Sequence, residues 1–65
     1  MKIRVNGEDR EVADAITVAG LLHVLAAPTE GVAVAVDAEV VPKREYTRTL
    51  HEGARVEVIR AVGGG

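Results

Sequence analysis

The sequence predicts an α+β fold, with one helix packed on one face of a four- to five-stranded mixed sheet. Three observations carry this prediction. Short stretches alternate polar and apolar residues, one stretch between them has helical spacing, and compact turn signals join neighbouring strands.

Lys2-Ile3-Arg4-Val5 alternates with the period of a half-buried strand. Asn6-Gly7 follows, a hairpin signal because a type I′ turn needs positive φ at both central residues. Glu8 to Val12 is the return strand, and its charge marks a sheet edge. Thr17 then precedes Val18, Leu21, Leu22 and Leu25, which share one helical face. Its hydroxyl suits an N-cap. Gly20 stands where a capping-box acid would and costs about 1 kcal/mol relative to alanine, which close approach of the helix to the sheet would explain. Pro28 predicts that the helix ends near Ala26 or Ala27.

Val32-Ala33-Val34-Ala35-Val36 is a strand with large side chains on one face and small ones on the other. Asp37-Ala38 turns the chain, and Glu39-Val40-Val41 returns until Pro42, which has no N–H to pair. Lys43 to Leu50 is polar and irregular, with room for a short helical turn. Glu52-Gly53 makes another turn before the last strand, Arg55 to Ala61. Val56 and Val58 point to one side of it, Glu57 and Ile59 to the other. A single helix covers a single sheet face, so its stripe packs on Ile3, Val5, Val34, Val56, Val58 and Leu50. This is a β-grasp, or ubiquitin-like, arrangement with the first and last strands parallel at the sheet centre. Residues 1–61 form the domain and 62–65 a flexible tail.

Composition narrows the function. With 12 Val, 3 Ile, 4 Leu and 10 Ala, and Tyr46 as the only aromatic, there is one lean core. A ligand pocket of about 300 Å³ would consume much of it, which argues against an enzyme with an enclosed site. The chain has no cysteine, so disulfides, Cys-based zinc and a thiol nucleophile are excluded. Met1-Lys2-Ile3-Arg4 does not open a signal peptide, and the longest clean apolar run, Val32 to Val36, is too short to span a bilayer. The expectation is a cytoplasmic protein with no membrane partner. A net charge of −2 and one aromatic speak against nucleic acid. His23 and His51 are isolated from the partners a catalytic base needs. Glu8, Asp9 and Glu11 alternate faces on a hairpin, a solvated edge more than a metal site. No metal site and no bound cofactor are expected.

The ending Ala61-Val62-Gly63-Gly64-Gly65 contributes nothing to a core. A frayed terminus is one reading. The other is that the Gly65 carboxylate is the reactive group, because residues without a Cβ can thread a narrow channel in a partner enzyme. Four residues from Val62 onward reach roughly 13–14 Å when extended. Such a tail suits carboxylate activation, since an acyl-adenylate gives a poor electrophile a good leaving group, with the acid–base work left to the partner. Ala33, Ala35, Ile59 and Ala61 should lie together on the face away from the helix, with Lys2, Arg4 and Glu57 around them. A small apolar patch ringed by charge suits a transient interface.

The sequence resembles the ThiS family, the sulfur carriers of thiamine biosynthesis. The resemblance rests on Asn6-Gly7-Glu8, Thr17-Val18-Ala19-x-Leu21-Leu22, Val32-Ala33-Val34-x-Val36-Asp37-x-Glu39-Val40-Val41-Pro42-Lys43 and Gly53-x-Arg55-Val56-Glu57-Val58-Ile59-x-Ala61-Val62-Gly63-Gly64-Gly65. It implies that Gly65 is adenylated by an E1-like adenylyltransferase of the ThiF type, which uses ATP and Mg, and is then converted to a thiocarboxylate. A thiazole synthase of the ThiG type would take the sulfur, which originates with a donor such as a cysteine desulfurase. Gly63 and Gly64 would thread the partner, and Val62 would be the last side chain it grips. The protein would be a co-substrate and no enzyme. Two positions depart from the family's habit. Asp37-Ala38 replaces Asn-Gly, which suggests a different turn type because left-handed alanine costs roughly 1–2 kcal/mol, and Ala54 replaces an acidic residue. A molybdopterin-synthase small subunit, a ubiquitin-like modifier joined to lysines through Gly65, and an interaction domain with an inert tail remain alternatives.

Overall fold

The computed structural model describes residues 1–28 and 30–60. Among them the chain forms β1 (Lys2–Val5), β2 (Glu8–Glu11), α1 (Val18–Val24), β3 (Val32–Val36), β4 (Glu39–Val41), a 3-10 turn (Lys43–Glu45) and β5 (Arg55–Arg60). The sheet order is β2-β1-β5-β3-β4. β1 and β5 run parallel, with Arg4 beside Arg55 and Val5 beside Val56, and the other pairs are antiparallel. This is the β-grasp arrangement, with the expected central parallel pair.

The helix lies over the face that carries Ile3, Val5, Val34, Val36, Val41 and Val56, all buried with Val18, Leu21 and Leu22. Tyr46, Leu50 and Ala54 complete this core. Leu25 and Val58, expected within it, pack at its margin. Ala54 is fully buried, so an acidic side chain there would have to enter the core.

Seven residues make a helix too short to persist alone, and the neighbouring loop supports its open end. Val18 N–H donates to the Arg48 carbonyl (3.0 Å) and Ala19 N–H to that of Tyr46 (2.9 Å). Gly20 N–H donates to the Thr17 hydroxyl at 2.9 Å, the expected N-cap. Three N–H groups that a helix start leaves without internal partners are thus satisfied. A Cβ on Gly20 would stand 3.1 Å from Ile16 Cγ1 and 3.2 Å from Thr17 Oγ1. The crowding comes from the capping segment and not, as expected, from the sheet.

At its other end the helix stops at Val24, before the point that Pro28 alone predicts. Ala26 is left-handed, with φ 56°. Its N–H donates to the His23 carbonyl (3.0 Å) and that of Ala27 to Leu22 (2.9 Å), the two bonds of a Schellman motif.

Asn6-Gly7 turns as expected, with φ 50° and 83°. Asp37-Ala38 departs from expectation, because it adopts the same doubly left-handed form with φ 52° and 69°. The Val36–Glu39 register leaves only two residues to close the hairpin. Bonds to Asp37 hold it there: its N–H donates to the Arg55 carbonyl (2.8 Å), and its carboxylate accepts from Arg55 N–H (3.0 Å).

Alanine in the left-handed region costs about 1–2 kcal/mol, while glycine loses about 0.4–1 kcal/mol more entropy on folding. Ala26→Gly and Ala38→Gly should therefore each raise stability by roughly 0.5–1 kcal/mol in urea denaturation. The same exchange at Ala33, inside β3, should lower it by about as much.

Candidate functional site

With one helix on one side, the opposite sheet face is left open. Antiparallel partners share a face, so the register places Ala33 with Ile59, and Ala35 with Glu57 on one side and Val40 on the other. Ile59 is 62% exposed and Val40 75%. These four apolar residues occupy the β5, β3 and β4 part of the face. The other part is charged, with Lys2 opposite Glu11 and Arg4 opposite Asp9. Arg4 Nε lies 3.2 Å from Asp9 Oδ1, an exposed ion pair. Arg55 and Glu57 on β5 lie between the two parts.

The structure thus brings together Ala33, Ala35 and Ile59, flanked by Lys2, Arg4 and Glu57, as the alternation implied. Val40 was missed. A two-residue turn at Asp37-Ala38 sets Val36 opposite Glu39 and hence Ala35 opposite Val40, so counting outward from the turn would have found it. The remaining predicted residues, Ala61, Val62, Gly63, Gly64 and Gly65, lie outside the described residues.

The direction in which β5 delivers the chain is set by a second feature that the sequence reading did not anticipate. Beyond the turn-forming role of Asn6, its side chain continues the β1–β5 ladder. Val58 N–H donates to Asn6 Oδ1 (2.9 Å), and Asn6 Nδ2 donates to the Val58 carbonyl (3.3 Å). On its other side β5 pairs with β3 through Ile59–Ala33 and Arg60–Val32. The last described residues before the glycines are therefore supported beside the apolar patch.

Among the described residues the titratable groups form no catalytic constellation. His23 is exposed on the helix. His51 is bonded to Asp37 and to the Glu52 carbonyl. The Asp37 carboxyl is held below its ordinary value by the Arg55 N–H and then by His51, and the His51 imidazole is raised above its own, chiefly by Asp37. The Met1 ammonium is raised by its bond to Asp14. A groove of about 350 Å³ beside the end of β5 contains Arg10, Arg60 and a single carboxylate, Glu8, above Val5, Leu25 and Val58. Among the described residues no group of three or more His, Cys, Asp or Glu could hold a metal ion, and no helix is long and apolar enough to cross a membrane.

The pattern of the ThiS family matches residues 3–65. The chain belongs to the ThiS family. The crystal structure of the thiamine biosynthesis protein ThiS from Geobacter metallireducens superposes with a TM-score of 0.84 at 33% identity, covering all of both chains. A solution NMR structure of a thiamine biosynthesis protein from the same organism gives 0.82 at 33% identity, covering all of this chain and 88% of that one. A protein of Paramagnetospirillum magneticum called thiazole synthase is 36% identical over 66 residues. That match takes in all of this chain but only 20% of the relative, so the chain spans about a fifth of its length. The family match runs through residue 65.

Because Ile59 and Val40 lie outside the core, Ile59→Thr and Val40→Thr should each change stability by no more than about 0.5 kcal/mol. Leu22→Ala, at a fully buried position, should cost about 2–5 kcal/mol. Urea unfolding of the three variants checks both statements.

Proposed function

We propose that this protein is a sulfur carrier of thiamine biosynthesis, with the Gly65 carboxylate as the working group. The observation that supports this most is that the ThiS family match runs through residue 65 and includes Val62-Gly63-Gly64-Gly65. In this reading an E1-like adenylyltransferase of the ThiF type uses ATP and Mg to join the carboxylate to AMP, with loss of pyrophosphate. A persulfide supplied by a donor such as a cysteine desulfurase then displaces AMP to leave an acyl disulfide, and a thiol reductant cleaves its S–S bond, so that Gly65 ends as a thiocarboxylate. A thiazole synthase of the ThiG type takes that sulfur. The carrier holds no cofactor, supplies no acid or base, and works in the cytoplasm as a co-substrate.

The geometry fits the handling such a carrier needs. The Ala33, Ala35, Val40 and Ile59 patch is a docking face, ringed by Lys2, Arg4 and Glu57, and β5 leads from it into the tail. Val62 is the last side chain, and Gly63 and Gly64 let a partner's backbone close in on either side. The resemblance to part of a protein called thiazole synthase favours that class of enzyme as the sulfur acceptor.

Incubation with ATP, a ThiF-type adenylyltransferase and a sulfur donor should add the mass of one sulfur-for-oxygen exchange, located at Gly65 by tandem mass spectrometry. Deleting Gly64-Gly65 should abolish the gain and leave thermal unfolding in place. Ile59→Arg should slow it by at least about tenfold, the loss expected of a central interface contact. No mass gain with the cognate components present would reject the proposal.

A further inference from the structure

His51 sits in the turn before β5, and both of its ring nitrogens face oxygen. Nδ1 lies 2.9 Å from the Glu52 carbonyl and Nε2 lies 2.7 Å from Asp37 Oδ2. A carbonyl and a carboxylate can only accept, so both nitrogens must donate, and an imidazole donates from both only as the cation. We infer that His51 is a protonation-dependent latch that clips the β3–β4 turn to the turn before β5, and that its hold on the β3–β4 turn weakens when the ring loses a proton.

The two turns differ in what else holds them. The turn of His51 is tied to β1: Gly53 N–H donates to the Lys2 carbonyl (2.8 Å), and Lys2 N–H donates to the Glu52 carboxylate (3.0 Å). The β3–β4 turn has two left-handed residues without glycine's freedom, Asp37 and Ala38, and leads into a three-residue edge strand. Its links to β5 run through Asp37, whose N–H and carboxylate both bond Arg55. The latch adds a third bond to that same residue. A neutral ring keeps one N–H, which stays on the Asp37 carboxylate. Losing the proton strips that bond of its charge assistance, and the segment it then holds less firmly is Asp37 to Val41.

The charges around the ring favour the latched state. Asp37 faces it directly from the β3–β4 turn, Glu52 is its neighbour, and the Arg55 charge acts on Asp37 from β5. Lys2 on β1 is engaged through its backbone N–H with Glu52. The net effect raises the His51 pKa from 6.5 and lowers that of Asp37 from 3.8. A raised imidazole stabilises the fold fully below 6.5 and loses that contribution as pH rises through its folded value. A lowered carboxyl contributes above 3.8 and loses its part as pH falls through its folded value. The latch is therefore strongest between these limits and weakens on the alkaline side.

The test is NMR on the intact protein. Nitrogen shifts of the His51 ring at pH 6 should show both nitrogens protonated, with a titration midpoint above 6.5 that falls in Asp37→Asn. Protection of the Asp37 and Arg55 amides, corrected for intrinsic exchange, should drop as pH passes that midpoint. In His51→Gln, which keeps one donor and carries no charge, the drop should disappear. A neutral ring at pH 6, a midpoint at or below 6.5, or an equal drop in His51→Gln would each overturn the inference. Because the measurements read the turn itself, their outcome is separate from that of sulfur transfer.

Discussion

Parallel pairing of β1 with β5 is the constraint on which the rest of the structure depends. Two strands from opposite ends of the sequence lie side by side at the sheet centre, with only Arg4–Arg55 and Val5–Val56 in register. Parallel neighbours cannot be joined by a tight turn, so the intervening chain must cross over the sheet and return. The helix and the segment that follows β4 make that crossing on the side of Ile3, Val5 and Val56, which become core. Arg4 N–H donates to the Ala54 carbonyl and Asn6 N–H to that of Val56, both at 2.9 Å, and the Asn6 side chain adds a further step. A hairpin residue thus also guides the outgoing strand. The same contact that closes the fold sets the direction in which the chain leaves it.

A crossing on one side leaves the opposite side uncovered. In a sheet of alternating residues this open face is written into every second position of every strand. In β3 those positions are alanines, and in β4 and β5 they include Val40 and Ile59, while β1 and β2 put charge there. Under the docking proposed above, the small residues would let a partner approach the backbone closely, and the two larger ones would give it something to hold. The patch therefore arises from the same alternation that builds the core, with side-chain size reversed across the sheet. It adjoins the end of β5 because β3 and β5 pair through Ala33–Ile59 and Val32–Arg60.

What could be read beforehand followed the range of the interactions involved. Alternation in Lys2–Val5, the Asn6-Gly7 turn, the Thr17 cap and the Val18, Leu21, Leu22 stripe are local patterns, and the structure contains each of them. The reading of local strain at Ala38 went astray because a distant contact compensates for it. Ala38 is left-handed because Asp37 is bonded to Arg55, and Ala26 is left-handed because Leu22 and His23 offer carbonyls to the following amides. Neither partner is visible in a propensity. Tyr46 was harder still, since a polar irregular stretch gives no period from which to infer burial, although Leu50 in the same stretch was expected in the core and is buried. Their segment is fixed by the helix N-terminus, whose amides need the carbonyls of Tyr46 and Arg48. Of the candidate site, the apolar patch was legible from alternation and Val40 from turn geometry, whereas the ladder-extending role of Asn6 depended on a strand 52 residues away.

These contacts are distributed unevenly, and the unevenness has a logic. β5 is flanked by β1 and β3, and both its neighbours are paired in turn, so the strand that leads into the tail is the best supported. β4 has a single strand neighbour, three residues and a turn held in a disfavoured conformation. Local opening begins where bonds are few and solvent is near, which in this fold is the β4 edge and not the route to Gly65. A partner gripping the open face would meet a firm half, with Ala33 and Ile59 on paired strands, and a yielding half at Val40. Firmness at β5 and give at β4 thus belong to the two neighbours of β3. Under the function proposed above, a carrier that docks in turn on an activating enzyme and on a sulfur acceptor would use both properties, and the sheet order places them on opposite sides of β3.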